Sequence, residues 1–588
     1  MEMNDTDFSE SVAEPASGNE KKRLKKEQKK ERKAQVRQKK AEARALKSAK
    51  KNKRGAVENT AAAQPEITVA ERTKATAQPE TVVLKQTAAQ PEITVAERTK
   101  AAERSETVVS QKTAAQPKTA EKSRKERLKD RKKTLFKLFH SARSEEKARQ
   151  RRADRELHNT LTRIASSQEI VLDKTPLDNA ALIFPAFEKT DVTNMYRISA
   201  ILKEEVDPIT LQRAVNDAVM RFPTISSAVK RGIFWFYLEP SAIPVVIGED
   251  RDFPCRKIAV DSRQSQVRIS YYKTRISAEF FHTATDGNGG VKFMNALLGR
   301  YFELSGRAIK DRTNCLHVLD KPDPEELADS YQQFADGVTQ KKGQDVRAYA
   351  MKGTMLPPNV LVEVKGIFSG KELNAAAKSR GLTVGELLTA AYFYAIEEER
   401  KFLGRKGDRP VVVSIPANLR KYESPKTLRN FVGNMNIQMP RGLDFDGICA
   451  AVKEQFADMN NEEYFRGYVN YNVAMQKNPF VKFAPLPLKT LVMRIALRYK
   501  NTDVVTSVFS NLGRVAAPKE FNDLVDRYEF TIGGQKHAVK ILTAVTFNDR
   551  VCVTISGVVR ERSVEKFFFR KLASLGINVI VESDTEDL

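Results

Sequence analysis

Phe281-His282-Thr283-Ala284-Thr285-Asp286-Gly287-Asn288-Gly289-Gly290 joins two hydrophobic patterns of different period. Before it, Ile276, Ala278, Phe280 and His282 fall two residues apart, the spacing that sends side chains to one face of a strand. After it, Val291, Met294, Leu298 and Tyr301 recur at steps of three and four with Leu297 and Phe302 beside them, the spacing of one face of a helix, until Gly306 ends the pattern. The junction predicts strand, turn and helix, with the helix beginning at about Asp286, where a carboxylate accepts from unpaired first-turn N–H groups and suits the helix dipole. Glycines at 287, 289 and 290 let the backbone turn tightly and approach another group closely. His282, one of five histidines in the chain, is thereby placed at the end of an apolar strand face.

The chain has 588 residues, enough for more than one domain, and its net charge of +25 is unevenly spread. Residues 1–152 hold 40 Lys and Arg against 22 Asp and Glu, so the basic excess belongs mainly to the N-terminal quarter. Cys255, Cys315, Cys449 and Cys552 lie far apart, with no CxxC and no Cys/His cluster of zinc type, so a reducing compartment and no metal are expected. Residues 1–20 are polar and acidic, and no stretch approaches 18 uninterrupted apolar residues, which reads as cytoplasmic and non-spanning.

Residues 1–155 read as a low-complexity basic tail, disordered or helical. Lys and Arg crowd 21–54 without an apolar stripe, and Ala62 to Lys74 recurs unchanged 26 residues later as Ala88 to Lys100, with Ala114-Ala115-Gln116-Pro117 beginning a third copy. Short, Pro-broken copies with few aromatics read as a duplicated linker rather than a solenoid. At 121–157, Leu128, Leu135, Phe136, Leu138 and Phe139 interrupt a basic run, which fits a helix packed on the following domain or an anionic surface, membrane or nucleic acid. No base-reading motif or interleaved aromatics accompany the basic runs. From about 166 the composition is globular and mixes α and β: Ile209 to Phe222 is helix-like and Ile233 to Leu238 strand-like, with Trp235 expected in the core. A second series begins near Asn359, with strands expected at 361–364, 411–415 and 551–555 and helices at 369–380 and 384–399. Two lobes, 160–350 and 351–588, follow from that division. His140, His158, His317 and His537 read as surface or loop residues.

The segment His282-Thr283-Ala284-Thr285-Asp286-Gly287 resembles the HxxxDG signature of the acyltransferase superfamily that includes chloramphenicol acetyltransferase, nonribosomal peptide condensation domains and plant BAHD enzymes. Leu177-Asp178-Asn179-Ala180-Ala181 with Ile183-Phe184-Pro185, then Pro416-Ala417-Asn418-Leu419-Arg420, Asn430-Phe431-Val432-Gly433-Asn434-Met435-Asn436 and Ser510-Asn511-Leu512-Gly513, are similar in content and order to its bacterial alcohol acetyltransferase branch. The resemblance covers about residues 170 to 580 and implies an α+β fold of two chloramphenicol-acetyltransferase-like lobes, a pseudo-dimer with a central tunnel crossing at the histidine. It also implies acyl-CoA, by the branch acetyl-CoA, as co-substrate with no tightly bound cofactor, and a small alcohol as acceptor.

A thioester carbonyl is already electrophilic, whereas an alcohol must lose its proton as the new bond forms. A neutral imidazole, with an ordinary pKa of about 6.5, can accept that proton at pH 7, a contribution of roughly 10² to 10⁴ in rate. His282 is the expected general base. Asp286, four residues away across a turn, is expected to point from the ring, and the resemblance pairs it with an arginine, here Arg420, so that the pair sets loop geometry. Gly287 gives close approach to the tunnel. Ser510 and Asn511 are candidate oxyanion donors or an ordinary turn, and Asn434 and Asn436 either line the tunnel or cap a strand. Phe281 stands where condensation domains carry a second histidine, and no Asp-Ser-Leu carrier motif occurs, which favours hydroxyl acylation from free CoA. GxSxG and a phosphate-loop lysine are absent, which removes serine hydrolysis and nucleotide hydrolysis. A noncatalytic scaffold with a degenerate acyltransferase body, an N-acyltransferase and a carrier-dependent condensing enzyme stay open as alternatives.

Overall fold

The computed structural model describes residues 148–187, 193–337, 346–423, 425–500, 504–534 and 538–583, all within the compact unit Lys118–Leu588. The expectations for the tail repeats, for Leu128 to Phe139, and for His140 and His537 fall outside the described residues.

The two series of elements build two large sheets and one small one. In the first, strands run in the order Val525–Ile532, Met195–Leu202, Arg275–Phe281, Val267–Tyr272, Gly248–Glu249, antiparallel except at the last pair. Its buried face, with Ile198, Ala200, Ile276, Ala278 and Phe280, is covered by helices Pro208–Arg221 and Gly287–Leu304. The helix at 148–165 adds Leu157 and Leu161 to that core and leaves His158 exposed. Strand Val525–Ile532 belongs to the second half of the chain yet forms an edge of this first sheet, so the sheet is completed by a strand that crosses over.

The second sheet has seven strands in the order Val432–Met439, Val411–Asn418, Ser507–Arg514, Lys540–Phe547, Arg550–Gly557, Val362–Ser369, Ile580–Ser583. Helices Val384–Phe402, Phe445–Met459 and Ser563–Ser574 contribute to its core. The first of these starts at a capping box between Thr383 and Glu386, a local signal that agrees with the apolar period behind it. Strands Val411–Asn418 and Ser507–Arg514 are parallel and pair only at Ser507 with Val413 and Val508 with Ser414. Beyond that point they part, and the space between them is where the candidate site opens.

The small sheet joins Thr175–Pro176, Phe236–Glu239 and Ala228–Arg231, and it corrects two expectations. Residues 233–235 form a turn closed by Gly232 N–H donating to Trp235 O at 2.9 Å, so the strand begins only at Phe236. Trp235 is half-buried at that turn instead of in the core, with the Lys489 ammonium 3.3 Å from its ring centre. Alternation alone could not separate a strand from an aromatic hairpin tip. Among the described residues no helix is long and apolar enough to cross a membrane.

Candidate active site

The turn after strand Arg275–Phe281 does what its residue types require. Asp286 caps helix Gly287–Leu304, its Oδ1 accepting from Asn288 N–H and Gly289 N–H at 3.1 Å each. Its other oxygen accepts from Arg420 Nη1 at 2.7 Å and from Phe431 N–H at 2.9 Å. All four bonds lead away from the imidazole, and both members of the ion pair are buried. Arg420 also donates to the carbonyl oxygens of Thr427 at 3.1 Å and Arg429 at 2.6 Å, so one guanidinium closes the 420–429 loop on the helix N-terminus. Thr285 Oγ1 donates to Leu428 O at 2.5 Å at the same seam. A side chain at Gly289 would strike that carbonyl, and one at Gly287 would strike Leu512, which is why the turn is glycine-rich.

The loop held in this way carries Asn430, which contacts the histidine. Asn430 Nδ2 donates to Asp178 Oδ2 at 3.1 Å, leaving its Oδ1 facing His282 Nδ1 at 2.9 Å. An amide oxygen only accepts, so a neutral His282 carries its proton on Nδ1 and presents an unprotonated Nε2. Asp178 and Asn430 are fully buried, and the Arg429 guanidinium lies 3.5 Å from Asp178. Phe184 stacks on the imidazole with centroids 4.5 Å apart, and Tyr196 meets it edge-on at 5.3 Å. Tyr196 in turn donates its hydroxyl to Asp286 O at 2.8 Å, tying the turn to the first sheet. Burial lowers the pKa of His282 below its ordinary value, against the pull of Asp286, Asn430 and Asp178, so the ring is neutral at pH 7.

His282 is half-buried and lines a cavity of about 210 Å³. One wall is Pro416 to Asn418 and the opposite wall is Ser510 to Leu512, the two parallel strands that have just parted. Gly287 and the N-terminal part of its helix form the floor. Asn511 Oδ1 accepts from Gly513 N–H at 2.8 Å beside a register shift, so the group it can still offer is its NH₂. Lys292 also borders the cavity; burial and the Arg420 charge lower its pKa. Asn434 and Asn436, expected either to line the tunnel or to cap a strand, are not among the residues that line this cavity. They lie two and four residues beyond Val432, which does, and Asn434 Nδ2 donates to Tyr468 OH at 3.3 Å on helix Glu462–Lys477.

Of the expected residues, His282, Asp286, Gly287, Ser510 and Asn511 meet at the cavity, and Arg420 stands behind Asp286. Asp178, Phe184 and Asn430 were visible only as parts of longer motifs, and Tyr196 in no motif. The available signal was a short polar pair between apolar residues, Asp178-Asn179 between Leu177 and Ala180-Ala181. Among the described residues no group of His, Cys, Asp and Glu could hold a metal ion, and the four cysteines are buried and unpaired.

No protein-family model and no curated protein matches the sequence. Among solved structures, the fold is similar to polyketide synthase associated protein 5 from Mycobacterium tuberculosis, at 13% identity and TM-score 0.46 over 69% of this chain and 98% of that one. It is also similar to the TRI3 trichothecene 15-O-acetyltransferase from Fusarium sporotrichioides, at 11% identity and TM-score 0.46 over 68% and 94%. The starter condensation domain of rhizomide synthetase RzmA, in complex with C8-CoA and Leu-SNAC, is similar at 9% identity and TM-score 0.45 over 68% and 94%.

Proposed function

We propose that the chain is an acyltransferase that moves an acyl group, by the resemblance acetyl, from a CoA thioester to an alcohol hydroxyl, with His282 as general base. The observation that carries this reading is a neutral imidazole whose Nδ1 is engaged by Asn430 and whose ring borders an open cavity. Nε2 takes the proton of the acceptor hydroxyl as its oxygen attacks the thioester carbon, and the C–O bond forms. The tetrahedral oxyanion then collapses, the C–S bond breaks, and the imidazolium returns the proton to the thiolate, leaving ester and free CoA. Ser510 and the NH₂ of Asn511 are the donors on hand for the oxyanion, a role that contributes about 3 kcal/mol where one donor has been removed in other enzymes. Asp286 and Arg420 act through the loop that holds Asn430 and transfer no proton. Lys292 and Arg514 give the cavity wall positive charge, which suits a polyanionic donor.

The test is release of free CoA thiol from acetyl-CoA with a panel of alcohols and amines, with products identified by mass spectrometry. His282→Ala should lower the rate at least about a hundredfold, the lower end of a general base's contribution, with the melting temperature unchanged. A wild-type protein that releases no thiol with any acyl-CoA refutes the reading, and an amide product would move the acceptor atom from oxygen to nitrogen.

A further inference from the structure

Leu488, Leu491, Val492 and Ile495 fall at steps of three, four and seven on helix Leu486–Lys500, a single apolar stripe. On a surface helix of a globular protein such a stripe faces the core. Here it faces out: the four side chains are 51%, 53%, 56% and 48% exposed. The helix is instead held by its opposite side, where Leu486 and Lys489 are buried. Lys489 Nζ donates to Phe234 O at 2.9 Å and Lys482 O at 3.2 Å, and Leu486 N–H donates to Ile233 O at 2.8 Å. Those bonds bring three apolar segments together, because Ile233 and Phe234 at the hairpin tip and Phe480 and Phe483 in helix Pro479–Phe483 are exposed as well.

We propose that this face, made by helix Leu486–Lys500 with Phe480, Phe483 and the Ile233-Phe234 tip, docks in the interface of an anionic lipid bilayer. Charge selects that occupant. Residues 471–500 contain six Lys and Arg and no Asp or Glu, in a chain with 75 acidic residues, so an apolar face is set in a purely cationic stretch. A second copy of the chain would bring cations against cations across a two-fold axis. An anionic membrane surface offers apolar depth and opposite charge together, and a basic amphipathic helix with aromatic neighbours is the form that lies in such an interface. At about 1.5 Å per residue the helix is too short to cross a bilayer and long enough to lie on one. The basic excess of residues 1–152 supplies the second attractive signal that stable peripheral binding needs. The helix touches the Ala180–Phe187 segment, whose Phe184 stacks on His282, so the docked face is one layer from the imidazole. Docking does not depend on the chemistry proposed above.

Trp235, the single tryptophan, sits beside Lys489 and reports on this face. The experiment uses the full chain with vesicles of phosphatidylcholine alone, or with three parts in ten phosphatidylglycerol, some carrying brominated acyl chains. Flotation with the anionic vesicles is expected, with a blue shift of Trp235 emission and quenching by the brominated lipid. The double variant Leu491→Glu, Ile495→Glu should bind these vesicles roughly tenfold more weakly and escape quenching. Its emission without vesicles should match the wild type, which verifies the fold. The proposal fails if the wild type does not float with anionic vesicles. It fails equally if the variant binds and is quenched like the wild type, because the basic tail then suffices. A wild-type dimer that the variant turns into a monomer, measured by sedimentation velocity, would assign the face to a second copy instead.

Discussion

Helices Gly287–Leu304 and Leu486–Lys500 carry the same kind of apolar stripe and use it in opposite ways. The first buries Met294, Leu297 and Leu298 completely and is pinned at its N-terminus by a carboxylate with four donors. The second turns its stripe to solvent and is held through a lysine. Periodicity states that a helix has an apolar side; the rest of the chain decides whether that side meets a core. Where the stripe is inward the helix serves the histidine, and where it is outward it is a surface for something else.

The contrast can be broken most forcefully at Asp286. Asp286→Ala leaves Arg420 buried without its partner and should cost about 3–5 kcal/mol in urea unfolding. A loss under about 1 kcal/mol would mean that the pair does not hold the seam. Leu298→Ala should cost about 2–5 kcal/mol by opening a cavity in the first core. Leu491→Ala, at the matching stripe of the other helix, should stay within about 0.5 kcal/mol. Equal costs at the two leucines would erase the distinction.

Smaller effects sharpen the site itself. Asn430→Ala should slow acyl transfer about ten- to a hundredfold with little change in KM, a part of the general-base contribution, because the ring loses the bond that selects its tautomer. The pH profile separates that role from a structural one. In the wild type, kcat/KM should rise with pH through a midpoint below the ordinary histidine value of about 6.5, since burial favours the neutral base. In Asn430→Ala the imidazolium loses the amide oxygen that pulls its pKa up, so the same limb should move to lower pH. An unmoved limb would show that residue 430 has no electrostatic hold on the imidazole.

Much of the local structure was legible because short-range rules and long-range packing agree there. The period change at 282–290 located the strand, the cap and the helix, and Asp286 caps as its residue type prefers. At Ile233 to Leu238 the two agree only in part: the run reads as strand throughout, but the strand begins at Phe236, and Ile233 to Trp235 form a hairpin tip beside Lys489. Asn434 and Asn436 show a different difficulty. They share an alternating face with Val432, and Asn434 is paired with Pro416; Val432 and Pro416 line the cavity, yet neither asparagine does, and no period encodes how far a cavity extends.

The sequence by itself determined that His282 ends an apolar strand at a glycine-rich turn and that a carboxylate caps the next helix, since both follow from spacing and backbone preference within a dozen residues. Only the tertiary structure decided which groups surround the ring. Asn430 lies 148 residues away from it and Asp178 a further 252 from Asn430. Bonds between such distant residues exist only once the sheets, the crossing strand and the Arg420 loop are in place. The outward stripe of helix Leu486–Lys500 has the same origin, because which side of a helix is buried depends on what the rest of the chain supplies to cover it.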